Sequence, residues 1–362
     1  MATTDLELRA SAGEARAQID LAARLDEANH HDEAVNWLAR AARGGNAEAL
    51  RLLGLRLLTG RDAPPLPAQG AGMLAESARQ GDAQAASVTS VLFGGGFYAP
   101  QDWRLALDYL QHAAELGSSS AQDQLRVLSG DGIPCQAGAP DPWKRLRQFI
   151  EVSAWTSAPT PAVLSSAPRV LAVKGLVPPE ACDWIVEQSR GRLVRAEVHD
   201  ARTGLTVMGQ TRTNQVANFE LVDTSLLNLF IQAKIAAATG VPTGMMEAFA
   251  VLHYGVGEEA SEHFDYLDPS VTAYAAEIAQ LGQRVATCLL YLNEDYKGGE
   301  TEFPLLGIRH RGGKGDALIF FSADASGVPD PRTVHAGRPP TAGEKWVLSQ
   351  FIRNRQIAPG AG

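Results

Sequence analysis

The sequence contains few cysteines and no long apolar run. Its three cysteines, Cys135, Cys182 and Cys288, lie far apart and match neither a disulfide framework nor the paired spacing of a structural zinc site. No apolar stretch is long enough to cross a bilayer, and residues 1–25 lack the apolar run of a secretion signal. We therefore expect a protein of the reducing cytoplasm that has no membrane partner.

The sequence also lacks an excess of positive charge. It has 32 Lys and Arg residues against 41 Asp and Glu residues, which gives a formal net charge of −9 at pH 7. Nucleic-acid binding normally requires a concentrated basic surface, so we expect no nucleic-acid partner. The hydrophobic content of 45% is ordinary for globular proteins, and 362 residues suit two domains better than one.

The N-terminal third contains a repeated segment. AARGGNAEA, SARQGDAQA and AAELGSSSA begin at residues 41, 77 and 113, so the offset is constant at 36. A leucine, two alanines and a glycine recur in phase: Leu38, Leu74 and Leu110; Ala42, Ala78 and Ala114; Ala49, Ala85 and Ala121; Gly45, Gly81 and Gly117. Alanine allows close helix packing and glycine suits the turn between helices, so the period predicts an α-solenoid of helical hairpins over residues 1–130.

The period resembles that of Sel-type repeats, which are related to tetratricopeptide repeats and imply a protein-contact surface. An ordinary alanine-rich bundle is the alternative, but it does not predict a constant phase. After the repeats, residues 131–168 are rich in Pro, Ala and Ser. We expect a linker there, with one possible helix in WKRLRQFIEVSAW, followed by a second domain over residues 169–362.

The C-terminal half contains short apolar runs separated by glycine- and proline-rich turns. QRVATCLLYLN, GDALIFF and WVLSQFI are apolar enough to form buried strands, and GGETEFP combines a turn with a short strand. Many short strands with such turns are typical of a β-sandwich or jelly roll. The sequence therefore predicts a mainly β second domain.

One short motif in this half carries candidate metal ligands. In an extended strand, side chains two apart point to the same side, so His263 and Asp265 would both face the inside of a barrel. His335 from a distant strand would complete two imidazoles and one carboxylate, a set that suits non-haem Fe(II). Taken alone the motif is weak, because a histidine near an aspartate is usually a solvated polar pair.

The order of the surrounding motifs resembles the prolyl 4-hydroxylase branch of the 2-oxoglutarate- and Fe(II)-dependent dioxygenases. The matching residues lie within residues 169–355: Tyr254-Gly-Val-Gly, His263-Phe-Asp265, Gln283-Arg284-Val285-Ala286-Thr287, Tyr291-Leu-Asn, Gly298-Gly299-Glu300-Thr301, Phe303-Pro304, Lys314-Gly315-Asp316-Ala317-Leu318, Val334-His335-Ala336-Gly337 and Gly343-Glu344-Lys345-Trp346. The resemblance implies a double-stranded β-helix (jelly roll) with flanking helices. It also implies that His263, Asp265 and His335 bind iron.

The same resemblance implies roles for one lysine and two tyrosines. Lys345 would anchor the distal carboxylate of 2-oxoglutarate, Tyr291 would hydrogen-bond that carboxylate, and Tyr254 would line the cofactor pocket. A buried carboxylate requires a paired cation, and a lysine ammonium is compact enough to meet it. The alternatives are a surface lysine in a turn and a core tyrosine bonded to backbone.

Two segments depart from the family pattern. Arg212, Thr213 and Asn214 correspond to a segment that shapes the substrate mouth, and Asn214 replaces a serine. The stretch between residues 257 and 263 is acidic where relatives often carry an aromatic residue. We expect solvated loop charges there, with a preference for basic substrates as the alternative.

The resemblance implies an activity and its cofactors. 2-Oxoglutarate and O2 would be converted to succinate and CO2 while a substrate carbon gains a hydroxyl group, with Fe(II) as the metal and ascorbate as a reductant. The first candidate substrate is a prolyl residue of a protein or peptide, recruited by the helical repeats. The alternatives are hydroxylation of a free amino acid or other small molecule, and a repeat-based scaffold with an inactive oxygenase domain. A zinc hydrolase ranks last, because it would not need Lys345.

Overall fold

The protein is described by a computed structural model that covers residues 5–130, 141–196, 198–200, 205–207 and 212–358, with the backbone alone at 198–200 and 205–207. The chain divides into two compact units. The first, here called the repeat unit, comprises residues 1–151 with 224–229; the second, the oxygenase unit, comprises 152–223 with 230–362. The division at residue 151 falls inside the segment 131–168 that we predicted as a linker. Cys135 lies outside the described residues.

The repeat unit consists of helices joined by short turns. They are α1 (Asp5–Ser11), α2 (Ala15–Glu27), α3 (His31–Arg43), α4 (Ala47–Thr59), α5 (Pro67–Arg79), α6 (Ala83–Gly95), α7 (Trp103–Glu115), α8 (Ser119–Ser129) and α9 (Pro142–Gln148). The first residues of α3, α5 and α7 are 31, 67 and 103, and those of α4, α6 and α8 are 47, 83 and 119. Both sets keep the predicted offset, so the helical-hairpin repeat is confirmed.

The columns that recur in sequence form the core of the repeats. Leu38, Leu74 and Leu110 are at most 1% exposed. Each turn contains a glycine with positive φ, followed by a residue whose side chain caps the next helix. These capping residues are Asn46, Asp82 and Ser118, and each accepts a hydrogen bond from the amide three positions later.

A further hairpin precedes the three predicted ones. Ala10, Gly13 and Ala17 of α1 and α2 repeat the pattern of residues 42, 45 and 49, and both alanines are fully buried. The offset is 32 here rather than 36, because three residues (28–30) separate α2 from α3 whereas seven (60–66) separate α4 from α5. This hairpin therefore does not share the constant offset of 36.

The oxygenase unit carries helices beside its sheets. They are α10 (Val152–Trp155), α11 (Pro179–Arg190), α12 (Leu226–Thr239), whose first turn groups with the repeat unit, and α13 (Thr272–Leu281). The single helix expected from WKRLRQFIEVSAW is instead two short helices, α9 and α10. They are separated at residues 149–151, where Phe149 ends α9.

Sixteen strands are assigned in the described residues. They are β1 (Ala162–Ser166), β2 (Arg169–Val173), β3 (Val194–Arg195), β4 (Val198–Asp200), β5 (Leu205–Val207), β6 (Gln215–Asn218), β7 (Ala250–Tyr254), β8 (Ala260–His263), β9 (Arg284–Tyr291), β10 (Lys297–Gly298), β11 (Thr301–Phe303), β12 (Ile308–His310), β13 (Ala317–Phe321), β14 (His335–Gly337), β15 (Pro340–Ala342) and β16 (Lys345–Arg353). The predicted buried strands correspond to β9, β13 and β16. Strand β1 was not predicted, because Pro, Ala and Ser surround its two apolar residues.

Two antiparallel sheets build the double-stranded β-helix. The larger has the order β1-β2-β13-β9-β16-β7-β6-β3, and the smaller has the order β12-β11-β14-β8. A core cluster joins them, in which Phe303 of the smaller sheet packs against Phe320 of the larger with ring centroids 5.1 Å apart. This packing holds β8 and β14 in front of β9 and β16, where the candidate site lies.

None of the described helices combines the length and apolar character that crossing a bilayer requires. The cytoplasmic location stays a prediction.

Candidate active site

The smaller sheet brings the two predicted histidine ligands together. Strands β8 and β14 are antiparallel neighbours, and their register places His335 opposite His263. The two imidazole centroids are 4.3 Å apart. Asp265 does not share the strand of His263, because β8 ends at His263. The expectation that one extended strand presents both side chains is therefore wrong for Asp265, which lies in the following turn.

The three side chains nevertheless converge. Asp265 places one carboxylate oxygen 3.5 Å from Nε2 of His263 and the other 3.6 Å from Nε2 of His335. One ligand atom from each residue lies within 4.8 Å of the other two. A single cation can therefore contact two imidazole nitrogens and one carboxylate oxygen on one of its faces.

The hydrogen bonds of the imidazoles favour metal binding. Nδ1 of His263 donates to the carbonyl oxygen of Ser261 at 2.8 Å, and Nδ1 of His335 donates to that of Thr333 at 3.1 Å. A carbonyl only accepts, so each Nδ1 carries the proton and each Nε2 presents a lone pair. Burial lowers the pKa of His335 to about 4, which keeps this imidazole neutral at physiological pH.

The carboxylate is charged in the same environment. Burial acts to raise the pKa of Asp265, but the two imidazoles and a hydroxyl hydrogen bond outweigh it, so the pKa lies below its usual range. That hydroxyl belongs to Thr287, whose Oγ1 donates to Oδ2 of Asp265 at 2.7 Å. Two imidazoles and one charged carboxylate fit Fe(II) in number and chemistry.

Two polar residues of the QRVATCLLYLN segment hold Asp265 in place, and sequence reasoning missed both roles. One is Thr287, and the other is Gln283, whose side chain is 2% exposed. Its Oε1 accepts from the amide of Leu267 at 2.8 Å and its Nε2 donates to the carbonyl of Leu267 at 2.7 Å. The signal that could have indicated them is a polar residue within an apolar strand for Thr287 and a polar residue directly before that strand for Gln283.

The candidate ligands border a cavity of about 570 Å³ within the oxygenase unit, a size typical of small-molecule sites. Lys345 borders the same cavity and is 2% exposed. Its Nζ lies 5.2 Å from the ring centroid of Tyr254 and 5.7 Å from that of Tyr291. No carboxylate within the described ranges forms an ion pair with it. Burial therefore lowers the pKa of Lys345 to about 8, although Glu300 acts in the opposite direction.

The two tyrosines occupy different positions. Tyr254 borders the cavity, and burial raises the pKa of its hydroxyl to about 12. Tyr291 is fully buried outside the cavity lining, and its hydroxyl lies 3.0 Å from Oγ1 of Thr301. Thr301 itself borders the cavity that Lys345 borders, so it offers a hydroxyl there although sequence reasoning gave it no role.

Only one residue of the predicted substrate mouth borders the cavity, namely Arg212. Thr213 exchanges three hydrogen bonds with the backbone of Glu259, so it fixes the loop rather than contacting a ligand. Asn214 is 1% exposed, and its side-chain amide donates to the carbonyl of Gln215. Thr213 and Asn214 do not border the cavity, and their role at the substrate mouth stays a prediction.

Comparison with known proteins shows what the chain is similar to. A family described as the 2OG-Fe(II) oxygenase superfamily matches residues 249–353. Prolyl 4-hydroxylase 1 of Arabidopsis thaliana is 33% identical over 257 residues, which cover 64% of this chain and 88% of that protein. A viral collagen prolyl hydroxylase of Paramecium bursaria Chlorella virus-1, solved with 2-oxoglutarate, covers 51% of this chain and 95% of its own at 24% identity and a TM-score of 0.40. A Sel1 repeat protein from Oxalobacter formigenes covers 33% and 93%, at 27% identity and a TM-score of 0.32.

Proposed function

The chain belongs to the prolyl 4-hydroxylase family of 2-oxoglutarate- and Fe(II)-dependent oxygenases, and from that premise we propose that it hydroxylates a prolyl residue of a protein or peptide. In the balanced reaction, one substrate C–H becomes C–OH while 2-oxoglutarate and O2 become succinate and CO2. The observation that carries the proposal is the convergence of His263, Asp265 and His335 in a cavity that also contains the buried ammonium of Lys345.

We assign metal binding to the two histidines and Asp265. Fe(II), when bound, supplies the redox chemistry that activates O2 and decarboxylates 2-oxoglutarate. The Nδ1 hydrogen bonds orient both imidazoles, so Nε2 of each faces the metal position without a proton. Thr287 holds the carboxylate of Asp265 by its hydroxyl, which limits rotation of the ligand.

We assign the distal carboxylate of 2-oxoglutarate to Lys345. A buried ammonium without an acidic partner is costly, and a bound carboxylate would remove that cost. Thr301 lies on the same cavity wall, and its hydroxyl is already oriented by Tyr291. We therefore propose that Thr301 donates a hydrogen bond to the carboxylate and that Tyr291 contributes indirectly. Tyr254 supplies a protonated hydroxyl at the cavity wall.

Two further proposals concern the reductant and the role of the helical repeats. Ascorbate would serve as the reductant that returns oxidised iron to Fe(II). The helical repeats would contact the substrate protein outside its hydroxylated segment, since stacked helical hairpins offer extended protein-binding surfaces. A substrate protein should then show a lower KM than the isolated peptide that contains its proline. Equal KM values would contradict the recruitment role.

The proposed function is tested by incubating the full chain with Fe(II), 2-oxoglutarate, ascorbate and proline-containing peptides. We expect succinate to form and one peptide proline to gain a single oxygen by mass spectrometry. The variant His335→Ala serves as the control that lacks a ligand. Oxygen gain by free proline alone, or succinate without any oxygenated proline, would contradict a peptidyl prolyl substrate.

A further inference from the structure

The cavity extends far beyond the candidate metal ligands. Four residues of β16 that alternate along the strand border it, and the first and last of them are about 20 Å apart at the rise of an extended strand: Lys345, Val347, Ser349 and Phe351. Strands β6 and β7 extend the same surface with Val216, Asn218, Ala250 and Leu252. The cosubstrate would occupy the end near Lys345. The remaining floor, here called the distal groove, is mainly apolar and is open to a second molecule.

Two arginines border this cavity and have no acidic partner among the described residues. Arg195 is an exposed residue at the end of β3, and Arg212 follows a short way along the chain. Neither forms an ion pair with any residue in the described ranges. Several other arginines of this unit form ion pairs, for example Arg192 with Asp223 at 2.7 Å and Arg284 with Glu247 at 2.8 Å.

The two arginines differ in depth. The charge of Arg212 lowers the pKa of Tyr254, against the larger effect of burial. It also lowers the pKa of His335, in the same direction as burial. Arg212 therefore lies close to the reacting centre. Arg195 is exposed to solvent and borders the cavity, so we place it at the rim of the distal groove.

The acidic loop between residues 257 and 263 does not neutralise them. The carboxylate of Glu258 accepts from the amide of Gly255 at 2.7 Å, and that of Glu262 lies 3.6 Å from a guanidinium nitrogen of Arg338. The carboxylate of Glu259 accepts from the hydroxyl of Ser261 at 3.2 Å. Among described residues, Asp265 is the one acidic side chain that borders the cavity, and we assign it to the metal. Within the described part of the cavity wall, a basic substrate would therefore find no acidic side chain that is free of the metal site.

We propose that the peptide substrate carries an Asp or Glu side chain near the hydroxylated proline, and that Arg195 binds this carboxylate at the rim of the distal groove. The inference rests on the proposed prolyl hydroxylation. A guanidinium presents two parallel N–H groups to a carboxylate, which gives strength and defined geometry. The apolar floor would contact the proline and its neighbours, while the positive rim would select against basic peptides.

The test is a positional scan with matched peptides. Each peptide has one central proline, an acetylated N-terminus and an amidated C-terminus, and carries Glu, Gln or Lys at one of the positions flanking the proline. At one position, we expect Glu to raise kcat/KM about tenfold over Gln and Lys to lower it. One charge-assisted hydrogen bond changes an affinity by about a factor of ten. Equal rates for Glu, Gln and Lys at every position would overturn the proposal.

Three variants assign the effect to Arg195. In Arg195→Gln, the ratio of kcat/KM for the Glu peptide to that for the Gln peptide should fall below about twofold, while the Gln peptide keeps its rate. In Arg195→Glu, the Lys peptide should become a better substrate than the Glu peptide. Arg195→Lys should keep part of the advantage. The matched control is Arg192→Gln, which removes a nearby exposed arginine that pairs with Asp223 and does not border the cavity; it should leave the preference unchanged.

A binding measurement separates this inference from the proposed function. Fluorescence anisotropy of the same labelled peptides, on protein loaded with Mn(II) and 2-oxoglutarate, needs no turnover. We expect the Glu peptide to bind about tenfold more tightly than the Gln peptide, and Arg195→Gln to abolish the difference. If this result holds but no proline is oxygenated, prolyl hydroxylation is wrong and carboxylate recognition stands. If only a free C-terminal carboxylate improves binding, the proposed recognition of an acidic side chain is wrong.

Discussion

The repeat unit and the oxygenase unit use side chains in opposite ways. In the repeat unit, Leu38, Leu74 and Leu110 perform the same packing task in successive hairpins, and each is almost completely buried. In the oxygenase unit, His263 and His335 come from strands far apart in sequence, and the described residues contain no second cluster of this kind. Stability of the repeats is therefore spread over equivalent positions, whereas the chemistry depends on single atoms.

The largest expected effect tests the dependence on single atoms. His335→Ala removes one of three metal ligands, so we expect activity to fall at least about a thousandfold and Fe(II) binding to be lost in anaerobic titration. The control is His253→Ala, which removes a histidine that bonds Glu344 and does not border the cavity. Normal iron binding by His335→Ala would refute the ligand assignment.

The next effect concerns the cosubstrate rather than the metal. Lys345→Ala would leave a carboxylate of 2-oxoglutarate buried without a cation, so we expect its Kd to rise at least about two hundredfold while Fe(II) affinity stays unchanged. Calorimetric titration of the metal-loaded protein with 2-oxoglutarate measures the first quantity, and anaerobic titration of the metal-free protein with Fe(II) measures the second. Lys314→Ala is the control, because Lys314 pairs with Asp183 on the surface. A Kd within threefold of the wild-type value would contradict the anchoring role.

The repeat unit should respond to substitution in a graded way. Leu74→Ala creates a cavity in the core of one hairpin, and we expect a loss of about 3 kcal/mol in unfolding free energy, measured by denaturant titration. Leu38→Ala and Leu110→Ala should cost similar amounts, since both occupy the same phase and are equally buried. Fe(II) and 2-oxoglutarate affinities should not change. Loss of metal binding in these variants would break the contrast between the two units.

The affinity of the oxygenase unit for 2-oxoglutarate should also depend on pH, through the titration of Lys345, and this effect is smaller. Because burial lowers this pKa to about 8, the ammonium is charged below pH 8 and loses its proton above it. Binding of the 2-oxoglutarate carboxylate needs the charged form, so affinity is full at pH 7 and falls as pH rises. We expect the Kd to increase about tenfold between pH 7 and pH 9. Lys345→Arg should abolish this dependence, and its persistence would assign the titration to another group.

The same contrast explains what could be predicted from the sequence. Repeated positions can be recognised by their constant period, so the helices from α3 to α8 were predictable. The first hairpin was not, because the short α2–α3 turn changes the offset. Strands β9, β13 and β16 were predictable because most of their residues are apolar. Strand β1 was not, because only Val163 and Leu164 are apolar there, and both are exposed.

For the site, sequence motifs identified the residues but not all of their contacts. His263, Asp265, His335 and Lys345 meet in one cavity as expected, because each belongs to a distinctive local pattern. The partners of these residues depend on which atoms meet across strands. Thr287 contacts Asp265 and Thr301 contacts Tyr291 only through tertiary structure, and no local spacing indicates either pair.

The smallest expected effect sharpens the comparison inside the repeats themselves. Asn46 and Asp82 occupy the same phase and each caps a helix, but only Asp82 also pairs with an arginine, Arg51, at 2.9 Å. Asn46→Ala should cost about 1 kcal/mol in unfolding free energy by loss of the cap, whereas Asn46→Asp should cost almost nothing. Asp82→Ala should cost slightly more than Asn46→Ala, because the partly buried ion pair adds a few tenths of a kcal/mol. Faster amide hydrogen exchange at the start of α4 in Asn46→Ala would locate the effect at the cap. Equal exchange in Asn46→Ala and the wild type would mean that equivalent repeat positions do not perform equivalent tasks.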